Sequence, residues 1–301
     1  MRTRKLGPLE VTVVGLGCNN FGGRIGEYAT REVVDAALDA GVTFFDTADI
    51  YGNKGGSEEL LGQILDGRRD QVVLATKFGK EMGDGATHRG SRDYILRALD
   101  ASMTRLGTDV VDLYQHHEED PGTPLEETIG TLDELVDQGR IRAYGTSNYS
   151  PENLEAAKAM AGPGYVSEQS EYSLLHRDAE RQLLGTCVQL GLGFIPYFPL
   201  ASGLLTGKVG RDNPPAEGTR LHGREIDPSD LEKVERLRTW AEANGTSVLA
   251  VAIGTLLATE PVVSVIAGAT KPEQVRANAE AGAWEPSSDD LVEIRALLEN
   301  A

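Results

Sequence analysis

Eight times between residues 13 and 281 a short apolar run leads into a stretch with helical spacing, and this alternation constrains the fold more than any other feature. The runs begin near residues 13, 42, 72, 110, 141, 165, 193 and 262. Eight strand-then-helix units in 301 residues point to a closed (β/α)8 barrel. An open doubly wound sheet with a second domain is the competing architecture. No linker, low-complexity tract or composition shift divides the chain, so one barrel domain over residues 1–301 is expected.

Local punctuation supports the alternation. Residues 2–13, broken by Gly7-Pro8, read as a hairpin ahead of the first unit. Thr30 is a good N-cap for a helix over 31–40, with Val33, Val34, Ala37 and Leu38 on one face and Gly41 as its stop. Further helices are predicted over 57–65, 91–106, 124–139, 151–160, 178–190 and 272–281, with Ser150 capping and Pro151 fitting a first turn. Additional helices are predicted over 229–244 and 247–258, and at the C-terminus over 286–298. The connection over 200–228 carries Gly203, Gly207, Gly210, Pro214, Pro215 and Gly218, and is too long for a simple turn. It reads as a functional loop at the mouth of a site, after the seventh strand.

Charge narrows the function classes. Acids outnumber bases 47 to 29, a formal charge of −18, which argues against nucleic acid or an anionic membrane as partner. Cys18 and Cys187 are far apart and lack metal-ligand spacing, so they read as free thiols of a reducing cytosol, and no metal is expected. No stretch reaches the roughly 18 uninterrupted apolar residues of a membrane span. A soluble, cytoplasmic protein is expected.

The chemistry gathers at strand ends. Phe44-Phe45-Asp46-Thr47-Ala48-Asp49-Ile50-Tyr51-Gly52 closes an apolar run and releases an acid and a phenol where parallel α/β proteins place their chemistry. Lys77 ends the third strand, and His116 and His117 follow the fourth. Adjacent strand residues face opposite ways, so only one of these histidines points inward. Asp46 paired with Lys77 also reads as a purely structural ion pair.

In order along the chain, FFDTADIYG, ATKFG, DLYQHH, YGTSN, SEQSEYSLLHR, PLASGLLTGK and VIAGATKPEQVRAN resemble the motifs of the aldo-keto reductases. The resemblance spans about residues 4 to 280. It implies a (β/α)8 barrel with a nicotinamide cofactor extended across the top, reducing aldehydes or ketones to alcohols by hydride transfer, reversibly. The family's tetrad carries over onto Asp46, Tyr51, Lys77 and His117, the spacing after Gln115 selecting His117. Tyr51 is then the general acid in reduction and the base in reverse, with Lys77 expected to lower its pKa.

The resemblance also assigns contacts. Ser147, Asn148 and Gln169 match positions that hold the nicotinamide carboxamide, and Tyr197 the ring that stacks on nicotinamide. Leu200, Ser202, Gly203, Leu205 and Lys208 match the loop over the pyrophosphate. Asn278 matches an adenine contact. Cys18 and Asn19 follow the first strand and read as lining the substrate pocket, or else as ordinary turn residues. At the adenosine end the chain departs from the commoner pattern: Gly268, Ala269 and Gln274 stand where many members carry Lys-Ser and Arg. Lys271 or Arg276 could serve the 2′-phosphate instead, so NADP(H) is favoured with NAD(H) open. The chain lacks Gly-x-Gly-x-x-Gly, which argues against a Rossmann domain. The rival functions are a cofactor-holding regulatory barrel with little turnover and a non-redox barrel enzyme.

Overall fold

The computed structural model describes residues 1–210 and 213–299. The expected 1–301 domain and the 200–228 connection also span residues 211, 212, 300 and 301, which lie outside the described residues. Strands β1 (Thr3–Leu6) and β2 (Leu9–Thr12) form an antiparallel hairpin. Its turn needs a glycine: Gly7 has φ +56°, and a Cβ there would lie 2.3 Å from Val166 Cγ1.

Eight parallel strands follow, β3 (Val14–Gly17), β4 (Phe44–Asp46), β5 (Val73–Phe78), β6 (Val111–His116), β7 (Ile141–Ser147), β8 (Tyr165–Gln169), β9 (Gly193–Phe194) and β10 (Val265–Gly268). They pair in that order, and β10 returns beside β3. Val263 N–H donates to Phe194 O at 2.9 Å and Ile266 N–H to Pro196 O at 3.3 Å, joining the β9 edge to the chain that enters β10. The sheet closes as a (β/α)8 (TIM) barrel, and the open doubly wound alternative falls.

The interior is layered. Phe44, Ala75, Leu113, Ala143, Val166, Ile195 and Ile266 pack with Leu6, Leu9 and Val11, so the hairpin's apolar face covers the inner layer of the barrel. Above this apolar floor, toward the C-terminal strand ends, the buried residues turn polar: Asp46, Lys77, Gln115 and Gln169. That placement is what the fold reserves for chemistry.

Helices α1 (Glu27–Asp39), α2 (Tyr51–Ile64), α3 (Arg92–Leu106), α4 (Leu125–Asp137), α5 (Pro151–Met160), α6 (Leu183–Leu190), α7 (Pro228–Ala243), α8 (Val248–Ala258), α9 (Pro272–Ala281) and α10 (Ser288–Glu299) complete the order. Most bounds follow the predicted ones. Helix α1 instead begins earlier, after an extended Gly26, and Thr30 lies inside it with its hydroxyl donating to Gly26 O at 2.9 Å. Glu27 in the first turn favours that earlier start. The predicted 178–190 helix splits into a 3-10 turn, Asp178–Glu180, and α6. A separate apolar cluster of Leu204, Leu205, Val234, Leu237, Val248 and Ile294 anchors the start of the 200–228 connection to α7, α8 and α10. No single helix among the described residues is long and apolar enough to cross a membrane.

Candidate active site

Register brings the tetrad together. Asp46 ends β4, paired with Ala75, and two residues further along β5 Lys77 pairs with Gln115 of β6. The Lys77 side chain is 0% exposed and its Nζ lies 2.5 Å from Asp46 Oδ1 and 2.9 Å from Thr47 O. The other carboxylate oxygen, Asp46 Oδ2, accepts from Gln115 Nε2 at 3.1 Å and from Gln169 Nε2 at 3.0 Å. The pair is thus buried, hydrogen-bonded on both carboxylate oxygens and fixed in direction, which a buried ion pair requires.

Tyr51 is delivered by an unusual turn. Gly52, Asn53, Lys54 and Gly55 all have positive φ, 67°, 63°, 71° and 118°, so regular α2 turns begin only after them. A Cβ on Gly52 would lie 2.5 Å from both Phe21 O and Ser57 N, so only glycine fits there. Lys77 Nζ sits 5.2 Å from the Tyr51 ring centroid. The His117 ring meets Tyr51 edge-on, centroids 5.8 Å apart and planes at 83°.

Burial acts most strongly on the Tyr51 phenol and raises it; the Lys77 charge pulls it back, Asp46 opposes, and the result stays above the usual value. The influence of Lys77 has the expected sign, but desolvation outweighs it, which corrects the expected lowering. Lys77 is pushed down by burial and up by Asp46 and Tyr51, ending raised. His117 is held well below the usual range by burial and by Lys77 and Lys80, so its imidazole is neutral at pH 7. The two histidines divide as strand alternation demands. His116 stacks on Phe78 at 4.8 Å, and its Nδ1 lies 2.8 Å from the Tyr149 hydroxyl.

The cofactor candidates fall into three groups. Asn148 adopts φ +60°, donates from Nδ2 to Ser147 Oγ and His117 O at 3.0 Å each, and accepts from the Tyr197 hydroxyl at 2.8 Å. Gln169 spends its amide nitrogen on Asp46, leaving Oε1 without a protein hydrogen bond among the described residues. In the second group, Ala201 and Ser202 have φ 46° and 58°, followed by Gly203 at 111°. Leu205 departs from expectation: its side chain is fully buried in the α7–α8 cluster, leaving only its backbone for a ligand. Leu200 also packs against that cluster, while Lys208 is exposed.

At the adenosine end, Gln274 Oε1 accepts from Thr270 N at 2.7 Å and Thr270 Oγ1 at 3.2 Å, so it caps the start of α9. Gly268 ends β10, Asn278 is buried, and Lys271 is exposed beside Glu273 at 4.0 Å. Arg276 lies about half a helical turn from the Gln274–Asn278 face and lines a cleft of about 760 Å³ with Met1, Arg2 and Glu280.

The two substrate-pocket residues separate. Cys18 is fully buried with Sγ toward Leu16 O at 3.4 Å, so it offers no pocket surface. Asn19 is half-buried, and its Oδ1 accepts from Arg220 Nη2 at 2.7 Å. Arg220 Nη2 also reaches Asn20 Oδ1 at 2.9 Å, and its guanidinium lies 5.5 Å over Phe198. Arg24 Nη2 donates to Gly218 O at 2.6 Å. These contacts carry the 200–228 connection across the barrel mouth. Neither arginine has a carboxylate within 4.0 Å among the described residues, although acids outnumber bases 47 to 29. Two cations over a barrel mouth, without a carboxylate partner among the described residues, suit a polyanion such as a dinucleotide. Sequence reading missed both, and missed Gln115; the available signal was an arginine in a Gly-rich strand-end loop of an acidic chain.

The family model for the aldo/keto reductase family matches residues 13–299. The chain is 35% identical to the aldo-keto reductase YhdN of Bacillus subtilis (strain 168), over 97% of this chain and 91% of that protein. It is 34% identical to the L-glyceraldehyde 3-phosphate reductase of Escherichia coli O157:H7, over 91% and 84%. It is 36% identical to a probable voltage-gated potassium channel subunit beta of Oryza sativa subsp. japonica, over 87% and 84%.

Proposed function

The chain belongs to the aldo/keto reductase family and is an oxidoreductase acting on carbonyl groups; from that premise we propose that Tyr51 is its general acid and base and that a nicotinamide dinucleotide, NADP(H) by preference, is its cofactor. The observation that carries the reading is a half-buried tyrosine flanked by the Lys77 ammonium and a neutral His117, with Asp46 holding the lysine.

When bound, the nicotinamide supplies or accepts the hydride. The residues do the rest. As a carbonyl is reduced, negative charge gathers on its oxygen, and Tyr51 donates its phenolic proton there. The phenolate left behind is stabilised by Lys77, whose charge Asp46 retains. Neutral His117 donates an N–H to the same oxygen and fixes the substrate's orientation. In alcohol oxidation the Tyr51 phenolate removes the hydroxyl proton.

Ser147, Asn148 and the free Oε1 of Gln169 would hold the carboxamide, with Tyr197 beneath the ring. Leu200, Ser202, Gly203, the Leu205 backbone and Lys208, joined by Arg24 and Arg220, would hold the pyrophosphate. Gly268, Gln274 and Asn278 would border the adenosine, and Lys271 would meet the 2′-phosphate. Asn19 would border a small carbonyl or alcohol substrate, and the protein would work in the cytoplasm.

The test is the loss of NADPH and NADH absorbance with a panel of aldehydes, ketones, sugars and quinones. Turnover with a higher kcat/KM for NADPH is expected. The match to a rice channel subunit favours one second reading, a barrel that holds cofactor with little turnover. Tight binding of both cofactors with no turnover across the panel would establish that second reading.

The phenol's raised pKa also sets a pH prediction. Reduction consumes the protonated phenol, so its rate shows no alkaline fall below pH 10, the ordinary phenol value. Oxidation needs the phenolate and climbs with pH throughout the neutral and alkaline range. Because His117 is already neutral, it adds no acidic limb near its ordinary pH of 6.5. A reduction rate that halves between pH 7 and 8 would contradict the assignment.

A further inference from the structure

Behind the barrel wall, between β7, β8 and the start of α5, lies a carboxylate that the mechanism does not use. Glu168 is fully buried, and no lysine, arginine or histidine forms an ion pair with it among the described residues. Its Oε2 accepts from the Thr146 hydroxyl at 2.6 Å, and its Oε1 from the Ser170 hydroxyl at 2.6 Å and Tyr149 N–H at 3.2 Å. A buried charge without a countercharge is costly, and hydrogen-bond donors are what make it tolerable.

The position of those donors gives the cost a use. Tyr149 N–H belongs to the peptide that follows Asn148, so Glu168 holds the plane of that peptide. Asn148 itself sits at φ +60°, a backbone region that a residue with a Cβ occupies only when its surroundings hold it there. The same carboxylate ties Thr146, at the end of β7, to Ser170, whose carbonyl accepts from Tyr197 N–H at 3.1 Å. Glu168 thus connects both residues proposed to meet the nicotinamide ring and its carboxamide, Asn148 and Tyr197.

We propose that Glu168 is a positioning residue, whose ionised carboxylate holds the Ser147–Asn148–Tyr149 turn in the conformation that binds the cofactor and releases it on protonation. The inference rests on reading Asn148 as a cofactor contact. Two carboxylate oxygens accept three donors here, Oε1 taking both the Ser170 hydroxyl and the Tyr149 N–H; a proton on Oε1 competes with those two donors and weakens the tie to the turn. The titratable groups facing Glu168 are the Tyr149 phenol of the turn, Tyr165 of β8, Cys187 of α6 and Tyr197 beyond β9. Burial raises all four, so each is neutral at pH 7 and none competes for the proton. Burial likewise lifts Glu168 to about 7 against the donors that lower it, so the change falls in the neutral range.

Fluorescence titration of the full-length enzyme with NADH tests this, NADH lacking the 2′-phosphate that titrates in the same range. Affinity should fall by about threefold to tenfold from pH 8 to pH 6, one hydrogen bond's worth. Glu168→Gln should bind equally at both pH values, near the wild-type level at pH 6, with kcat at saturating cofactor little changed. Ser170→Ala removes one donor and should move the wild-type midpoint upward. A Glu168→Gln enzyme that keeps the wild-type pH dependence overturns the proposal. In cofactor-free wild type, the Tyr149 amide resonance should titrate near pH 7, a readout that needs no variant to fold. A Tyr149 amide that does not titrate overturns the hold of Glu168 on the turn. One that titrates in a protein binding neither NADH nor NADPH overturns the cofactor reading of Asn148 instead.

Discussion

Tyr51→Phe lowers kcat/KM for carbonyl reduction by about 10²–10⁴-fold, the usual worth of a positioned proton donor, while the dissociation constant for NADPH stays unchanged. The substitution removes one oxygen from a ring whose edge-on contact with His117 and approach to Lys77 it preserves. Folding should survive, because the β4–α2 turn is shaped by glycine backbone and not by the phenol. The loss should fall on kcat more than on KM, because a proton donor works chiefly as charge gathers on oxygen in the transition state. The climb of alcohol oxidation with pH should vanish together with the rate, since both belong to the same hydroxyl. A Phe variant that reduces aldehydes within a few-fold of wild type would move the acid to another group, and His117 would be the first to examine.

Legibility differed sharply between parts of the site. The strands were readable because parallel strands buried on both faces are nearly continuous apolar runs, as at Val72–Leu74 and Val110–Leu113. Asp46 and Lys77 were readable because each ends such a run. What lay beyond local pattern was the identity of partners. The Gln169 amide nitrogen meets Asp46 across a sequence separation of 123, so half of a proposed carboxamide contact is committed to the tetrad. Arg220 meets Asn19 across 201 residues, through a connection whose course no periodicity describes.

Backbone conformation was similarly hidden. Phe198, Ala201 and Ser202 occupy left-handed φ values, and none of the three is a residue type that announces them. Cys18 and Leu205 illustrate a third limit. A position next to a functional residue in sequence points elsewhere when the turn between them is tight, and both side chains are buried in packing.

Lys77→Met separates the catalytic reading of the buried pair from the structural one. The Lys77 ammonium is fully buried, and its partner carboxylate is only 4% exposed. Removing the cation leaves Asp46 charged and unpaired, retaining only the Gln115 and Gln169 amides. Breaking a buried pair in this way costs about 3–5 kcal/mol, to be read from the urea midpoint. The folded-state pKa of Lys77 lies above its ordinary 10.5, so the pair's stabilisation is fully present below pH 10.5 and lost as pH rises through the folded value. The stability difference between wild type and Lys77→Met should therefore be flat between pH 7 and 9. Adding Asp46→Asn to Lys77→Met removes the stranded charge and should restore much of the stability. Activity should stay lost in the double variant, because the Tyr51 phenolate no longer has a cation beside it. If the double variant recovers turnover along with stability, the pair serves only the fold; stability regained without turnover assigns Lys77 to the chemistry.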